Sequence, residues 1–225
     1  MEKNRIVITD DDQLVNFREI CMGKIVPGIL YRCSNPLKGG ELKKIKKSLA
    51  VKAGINCVIN LEDSISVLEN LSEDVPWYHN LVIAKKVIAL PMTFTIIGVE
   101  FNEKKLKAAL QFIITHEGPY LIHCFAGVDR TGIVSILLEA LMEATLHDIT
   151  EDYLKSFNSL YDSSIYSRAN SKNTQVVTQL LSAMSNYMPI NDQNLPNIAK
   201  RYLLNKIGLS LEEITLLKRK LAGEK

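Results

Sequence analysis

At 225 residues, 47% of them hydrophobic, the chain is long enough for one domain with a real apolar core. Its 27 basic and 25 acidic residues leave a net charge of +2, too little to argue for nucleic acid or a membrane surface as partner. Four cysteines without paired spacing suit a reducing compartment better than a disulfide framework.

The opening residues Met1 to Ile6 lack the apolar stretch of a signal peptide, and no run approaches the ~18 apolar residues of a membrane span. A cytoplasmic monomer without an integral membrane segment is therefore expected, with secretion by a signal-less route left open. Cys21, Cys33 and Cys57 read as core or loop thiols.

The first predicted element is a helix from Glu41 to Lys52. Its lysines 43, 44, 46 and 47 form a solvated face around Leu42, Ile45 and Leu49. Ile55 to Leu61 reads as a buried strand, and Val87 to Leu90 as another, ended by Pro91. Asn102 can cap a helix from Glu103 to His116 that buries Leu106, Ala109, Leu110 and Ile113. The apolar run Tyr120-Leu121-Ile122 is a strand that ends at Cys124, and a long apolar helical segment runs from Ile133 to Leu146. That segment's polar residues, Ser135, Glu139 and Glu143, share one stripe at i+4 spacing. After Asn158 the chain reads as helices packed on the core, with Tyr161, Tyr166 and Arg168 available for a pocket wall or lid. Ser210-x-x-Glu213 is a capping box for a last helix with Leu211, Ile214, Leu217 and Leu221 on one face.

Alternating strands and helices imply an α/β fold with a largely parallel central sheet flanked by helices on both faces. A single domain over 1–225 is expected, with residues 159–225 as its helical extension.

Between the strand ending at Cys124 and the following helix lies His123-Cys124-Phe125-Ala126-Gly127-Val128-Asp129-Arg130-Thr131-Gly132. A strand, a short loop and a helix N-terminus aim backbone N–H groups at one point, where an oxyanion can sit. Cys124 and Arg130 bracket five residues, about enough to wrap Phe125, Ala126, Gly127 and Val128 around a tetrahedral phosphate. Arg130 can close the ring with a two-pronged hydrogen bond. The helix dipole, loop amides and Arg130 all favour the Cys124 thiolate as nucleophile. Gly127 suits a loop position with unusual dihedrals, and Gly132 permits close helix approach. Thr131 can donate its hydroxyl to the sulfur, and His123 fixes the loop through hydrogen bonds.

This string resembles the signature of the bacterial tyrosine/lipid phosphatases, H-C-x-A-G-K-D-R-T-G, within the cysteine-dependent phosphatases. Asn16-Phe17-Arg18-Glu19 and Gly28 to Ser34 are similar to that family's "NFRD … G-x-L-Y-R-S" stretch. Gly54-Ile55 to Glu62, Asp148 to Ser156, and Tyr202 to Glu213 resemble further segments. The resemblance implies a protein tyrosine phosphatase-like fold and hydrolysis of phosphomonoesters through a phosphocysteine. No metal or cofactor is needed for it, and the partner is a phosphorylated protein or a phosphoinositide.

Three positions depart from the pattern. Val128 replaces the loop lysine, Asn60-Leu61-Glu62 stands for D-L-R, and Glu19 replaces the D of NFRD. Such phosphatases usually carry their general acid on a loop upstream of the cysteine. Leu90 to Thr95, in the equivalent place, has no acid. Asp129 is then the first candidate to protonate the leaving oxygen, Asp63 the second, and no dedicated acid the third. A phosphate-binding module without turnover and an inositol-phosphate phosphatase remain as alternatives.

Overall fold

The computed structural model describes residues 15–93, 103–158 and 175–224. Strands β2 (Leu30–Ser34), β3 (Cys57–Asn60), β4 (Val87–Ala89) and β5 (Tyr120–Cys124) form a parallel sheet in the order β2-β5-β3-β4. The short β1 (Arg18–Glu19) adds an antiparallel edge beside β2. The last strand in sequence thus lies in the middle, with Ser34 paired to Cys124 on one side and Asn60 to His123 on the other. Ligands in open parallel sheets bind outside the carboxyl ends of the strands, which is where β5 delivers Cys124.

Alternation along the strands sorts the two cores. Leu30, Cys57, Ile59, Tyr120, Ile122 and Cys124 face one apolar cluster; Tyr31, Cys33, Val58 and Leu121 face the other. The first cluster is closed by α4 (Glu103–Thr115), α5 (Asp129–Leu141), α7 (175–184), α8 (Leu195–Tyr202) and α9 (Leu211–Leu221). The second is closed by α1 (Leu42–Lys52), α2 (Ile65–Ser72) and α3 (Pro76–Ile83). The fold is α/β, with helices on both faces of a mostly parallel sheet. No helix among the described residues is long and apolar enough to cross a membrane.

The expected face of α4 is buried as read, and the Ser210–Glu213 capping box forms in both directions at the start of α9. Two expectations need correction. The apolar segment after the loop is not one helix to Leu146. It stops at Leu141, Glu143 takes a left-handed φ of 67°, and α6 (Leu146–Asn158) begins behind a Thr145–Asp148 hydrogen-bonded cap. Ser135 and Glu139 are buried, whereas Glu143 is exposed. Lys46 does not belong to the solvated lysine face; it is buried, and its ammonium donates to the Asn35 and Lys38 carbonyls at 2.8 and 2.9 Å. Asn102, Phe94, Thr95, Tyr161, Tyr166 and Arg168 lie outside the described residues.

Candidate active site

The loop between β5 and α5 is shaped from outside. The Phe125 carbonyl accepts from the Asn35 N–H at 3.0 Å. The Asn16 amide donates to the Ala126 and Gly127 carbonyls, both at 3.1 Å. Arg32 Nη2 donates to the Gly127 and Val128 carbonyls at 2.8 and 3.3 Å. In a trans peptide the N–H points away from its carbonyl. Tethering these four carbonyls outward therefore turns the N–H groups of Ala126, Gly127, Val128 and Asp129 to the other side. The result is a cup of aligned donors at the first turn of α5, suited to an anion.

Gly127 is required twice over. Its φ is +71°, and an added Cβ would lie 2.3 Å from the Cys33 carbonyl oxygen at the end of β2. Gly127→Ala is thus expected to displace the loop and lower turnover ~100-fold, the cost of moving reacting groups by about an ångström. Vanadate affinity and turnover would check this; unchanged vanadate affinity would show that the loop tolerates the side chain. At Gly132 an added Cβ would lie 2.7 Å from the Tyr153 ring, so this glycine lets α5 and α6 meet.

The tethering groups are themselves locked by a buried ionic cluster. Arg18 donates to both Asp152 carboxylate oxygens at 2.7 and 3.2 Å, to the Asp152 carbonyl at 2.6 Å and to Ser156 Oγ at 2.8 Å. It also donates to the Asn16 side-chain oxygen, which fixes that amide towards the loop. Arg32 Nη1 completes the set at 2.7 Å from Asp152 Oδ2. Burial alone would raise the Asp152 carboxyl, but Arg18 and Arg32 outweigh it and hold the group down to about 2. Removing one member would strand an unpaired buried charge, which is costly.

Within the cup, Cys124 and Thr131 are both buried. The Thr131 hydroxyl has no hydrogen-bond partner among the described residues. The expected bond to the sulfur is therefore not formed here, though the donor is in place in the first turn of α5. Arg130 is held across the site, with Nη1 donating to the Leu61 and Met92 carbonyls at 3.2 and 3.4 Å, beyond the ends of β3 and β4. Among the described residues its other donors are not engaged, which leaves them for a ligand. Phe125 projects into solvent at 63% exposure, with the Lys38 ammonium 5.8 Å from its ring centre. Val128 packs its side chain into the core, so only its N–H faces the cup.

The two carboxyls considered as general acid differ sharply. Burial raises Asp129, with Arg130 as the main opposing influence and the Tyr153 hydroxyl beside it. Burial would also raise Asp63, but hydrogen bonds from Asn60 and Asn35 and the Lys38 ammonium hold it below the usual carboxylate range. Asp129 therefore keeps its proton to higher pH than an ordinary carboxyl, whereas Asp63 is held as an anion and ties the rim together.

Contrary to expectation the His123 ring does not bond the loop: it lies on the opposite face of the sheet from Cys124, where hydrogen bonding to Tyr78 sets its tautomer. Asn60 Oδ1 accepts the Glu62 and Asp63 N–H groups, so its Nδ2 must be the donor, to Asp63 at 3.1 Å and to the Tyr78 hydroxyl at 3.3 Å. The Tyr78 proton then goes to His123 Nε2 at 2.9 Å, leaving the ring proton on Nδ1. Burial pushes His123 down to about 3, so the ring is neutral.

Asn16, Arg18, Arg32 and Asp152 all fall in segments that carried the family resemblance, but the sequence assigned them no role. Tyr78 and Tyr153 had no sequence signal. Among the described residues, no group of three or more His, Cys, Asp or Glu side chains converges as a metal site.

The sequence profile of the tyrosine phosphatase family matches residues 11–223. No curated protein matches the chain. Among solved structures, the chain is similar to the core catalytic domain of the PP-IP phosphatase SIW14 from S. cerevisiae in complex with citrate. The identity is 18%, with a TM-score of 0.43, over 79% of this chain and 96% of that one. A second structure, of the Siw14 catalytic core, has 17% identity and a TM-score of 0.44, covering 84% of this chain and 99% of the other.

Proposed function

The chain belongs to the tyrosine phosphatase family, and from that premise we propose that it hydrolyses phosphomonoesters through a phosphocysteine on Cys124. The observation that carries this is the cup itself: four loop carbonyls anchored outward, and their N–H partners turned inward at the nucleophile. The Cys124 thiolate attacks phosphorus as the P–O bond to the leaving group breaks. Asp129 gives its proton to the departing oxygen. Water then attacks the phosphocysteine, with Asp129 as base, and a Thr131 hydrogen bond to sulfur eases release of the thiolate. Arg130 and the loop amides hold the equatorial oxygens throughout, where their charge is most stabilising.

The rim favours one phosphate on an aromatic carrier. Phe125 is exposed beside the nucleophile, Val128 is withdrawn into the core, and Lys38 is already bound by Glu62 at 2.5 Å and Asp63 at 3.3 Å. Phosphotyrosine is accordingly the preferred substrate class, with phosphoserine, phosphothreonine, phosphoinositides and soluble inositol phosphates as the other members of a substrate panel. In a time course with an aryl phosphate and a chelator, turnover that vanadate blocks is the expected result. Phosphate binding without turnover would identify a binding module instead.

A further inference from the structure

One buried carboxyl within electrostatic reach of the ionic cluster has no part in the mechanism above. Glu139, two turns along α5 from Thr131, is fully buried, and neither of its carboxylate oxygens has a hydrogen-bond partner among the described residues. Arg32, also fully buried, has its Nε without a partner among the same residues. The ionisable groups facing Glu139 are Asp152 and Lys155 on α6, Arg32 on β2 and Arg18 on β1.

Charge counting shows what the proton on Glu139 decides. Arg18, Arg32 and Asp152 alone sum to one positive charge, and Arg32 donates directly to the carbonyls that shape the loop. An ionised Glu139 would bring the sum to zero. We propose that Glu139 is a positioning residue for oxyanion binding, whose bound proton leaves one unbalanced positive charge behind the phosphate loop. Ionising Glu139 cancels that charge and offers the unpartnered Arg32 Nε a competing acceptor, drawing the guanidinium from the loop carbonyls. This rests on the phosphate-loop reading above and adds a second, internal control of anion affinity.

A carboxylate with no donor around it is costly to bury, which favours the neutral acid. Burial, reinforced by the Asp152 charge and opposed by Arg32, Arg18 and Lys155, holds Glu139 well above the usual carboxylate range. Its ionisation therefore falls at higher pH than that of an ordinary carboxyl, and affinity is lost as pH rises through it. About seven residues of helix separate it from the loop, or ~10 Å, and at an effective dielectric near 20 one charge changes anion affinity roughly tenfold.

The test uses a Cys124→Ser, Asp129→Asn protein, in which neither loop group titrates, with tungstate binding followed by calorimetry from mildly acidic to alkaline pH. Affinity should fall roughly tenfold as pH rises, and adding Glu139→Gln should abolish the fall. The same fall with and without that substitution would overturn the proposal. If tungstate fails to bind at any pH, the phosphate-loop reading fails and this proposal with it. Should Glu139→Gln prevent folding, infrared spectra of the reference protein decide. A protonated-carboxyl band that fades in step with tungstate affinity supports the proposal, and the absence of such a band overturns it.

Discussion

Cys124→Ser should lower turnover of every phosphomonoester by ~10⁴-fold or more while leaving tungstate bound in the loop. The size follows from removing a nucleophile whose loss collapses the whole covalent route. Binding survives because the anion is held mainly by the N–H groups of Ala126, Gly127, Val128 and Asp129, whose orientation depends on Asn16, Asn35 and Arg32 and not on the thiol. Arg130→Lys should be nearly as damaging, about 10²–10³-fold, and should also weaken tungstate. A point charge cannot both hold the Leu61 and Met92 carbonyls, as Arg130 Nη1 does, and present a planar pair of donors to the phosphate. Single-turnover rates and calorimetry on both variants would check these outcomes. Substantial activity in Cys124→Ser would exclude a phosphocysteine.

Asp129→Asn should slow alkyl phosphates by ~10²–10⁴-fold and activated aryl phosphates far less. An alkoxide needs the proton that the proposed mechanism draws from Asp129, whereas a stabilised phenolate leaves without it. The sign of the pH dependence is fixed by the direction of the shift. Burial raises Asp129 against the pull of Arg130, so the acid form persists to higher pH than in an ordinary carboxyl. Turnover of alkyl phosphates falls as pH rises through that pKa, and the substitution removes this limb. Loss of equal size on both substrate classes would mean that Asp129 only shapes the loop. The effect of Glu139 is separable, because it acts on anion affinity whatever the leaving group.

The centre of the candidate site could be read as one unit because its residues are consecutive in the chain. Cys124, Gly127, Asp129, Arg130 and Thr131 sit on one loop and one helical turn, so their order in the chain is their order in space. The support was not legible, since β1 and β2 hide their character. β1 is two residues long, and β2 carries Arg32 in the middle of a buried strand, which reads as neither an alternating nor an apolar run. The ion pair with Asp152 and the hydrogen bonds to the Gly127 and Val128 carbonyls make that burial tolerable, and nothing local to β2 announces them. Helices α2 and α3 escaped for a different reason: eight residues each, with one or two buried positions, they show little periodicity. The break after Leu141 did have a local sign, the Thr145-x-x-Asp148 cap, masked by the apolar run around it.

The order β2-β5-β3-β4 has a consequence for how activity arises during folding. Arg18 and Asp152, which lie 134 positions apart, meet only when the β1–β2 edge and α6 have both docked around β5. Contacts of such long sequence separation form late and close large loops of chain. A folding intermediate that has assembled β3, β4, β5 and α5 would already own the nucleophile but not the cup, since the loop carbonyls would lack Asn16 and Arg32. On the proposed mechanism, Cys124 in a half-made protein would therefore lack the anion cup that turnover needs. In a refolding experiment, tungstate binding should return with the last cooperative step, well after most of the helical signal.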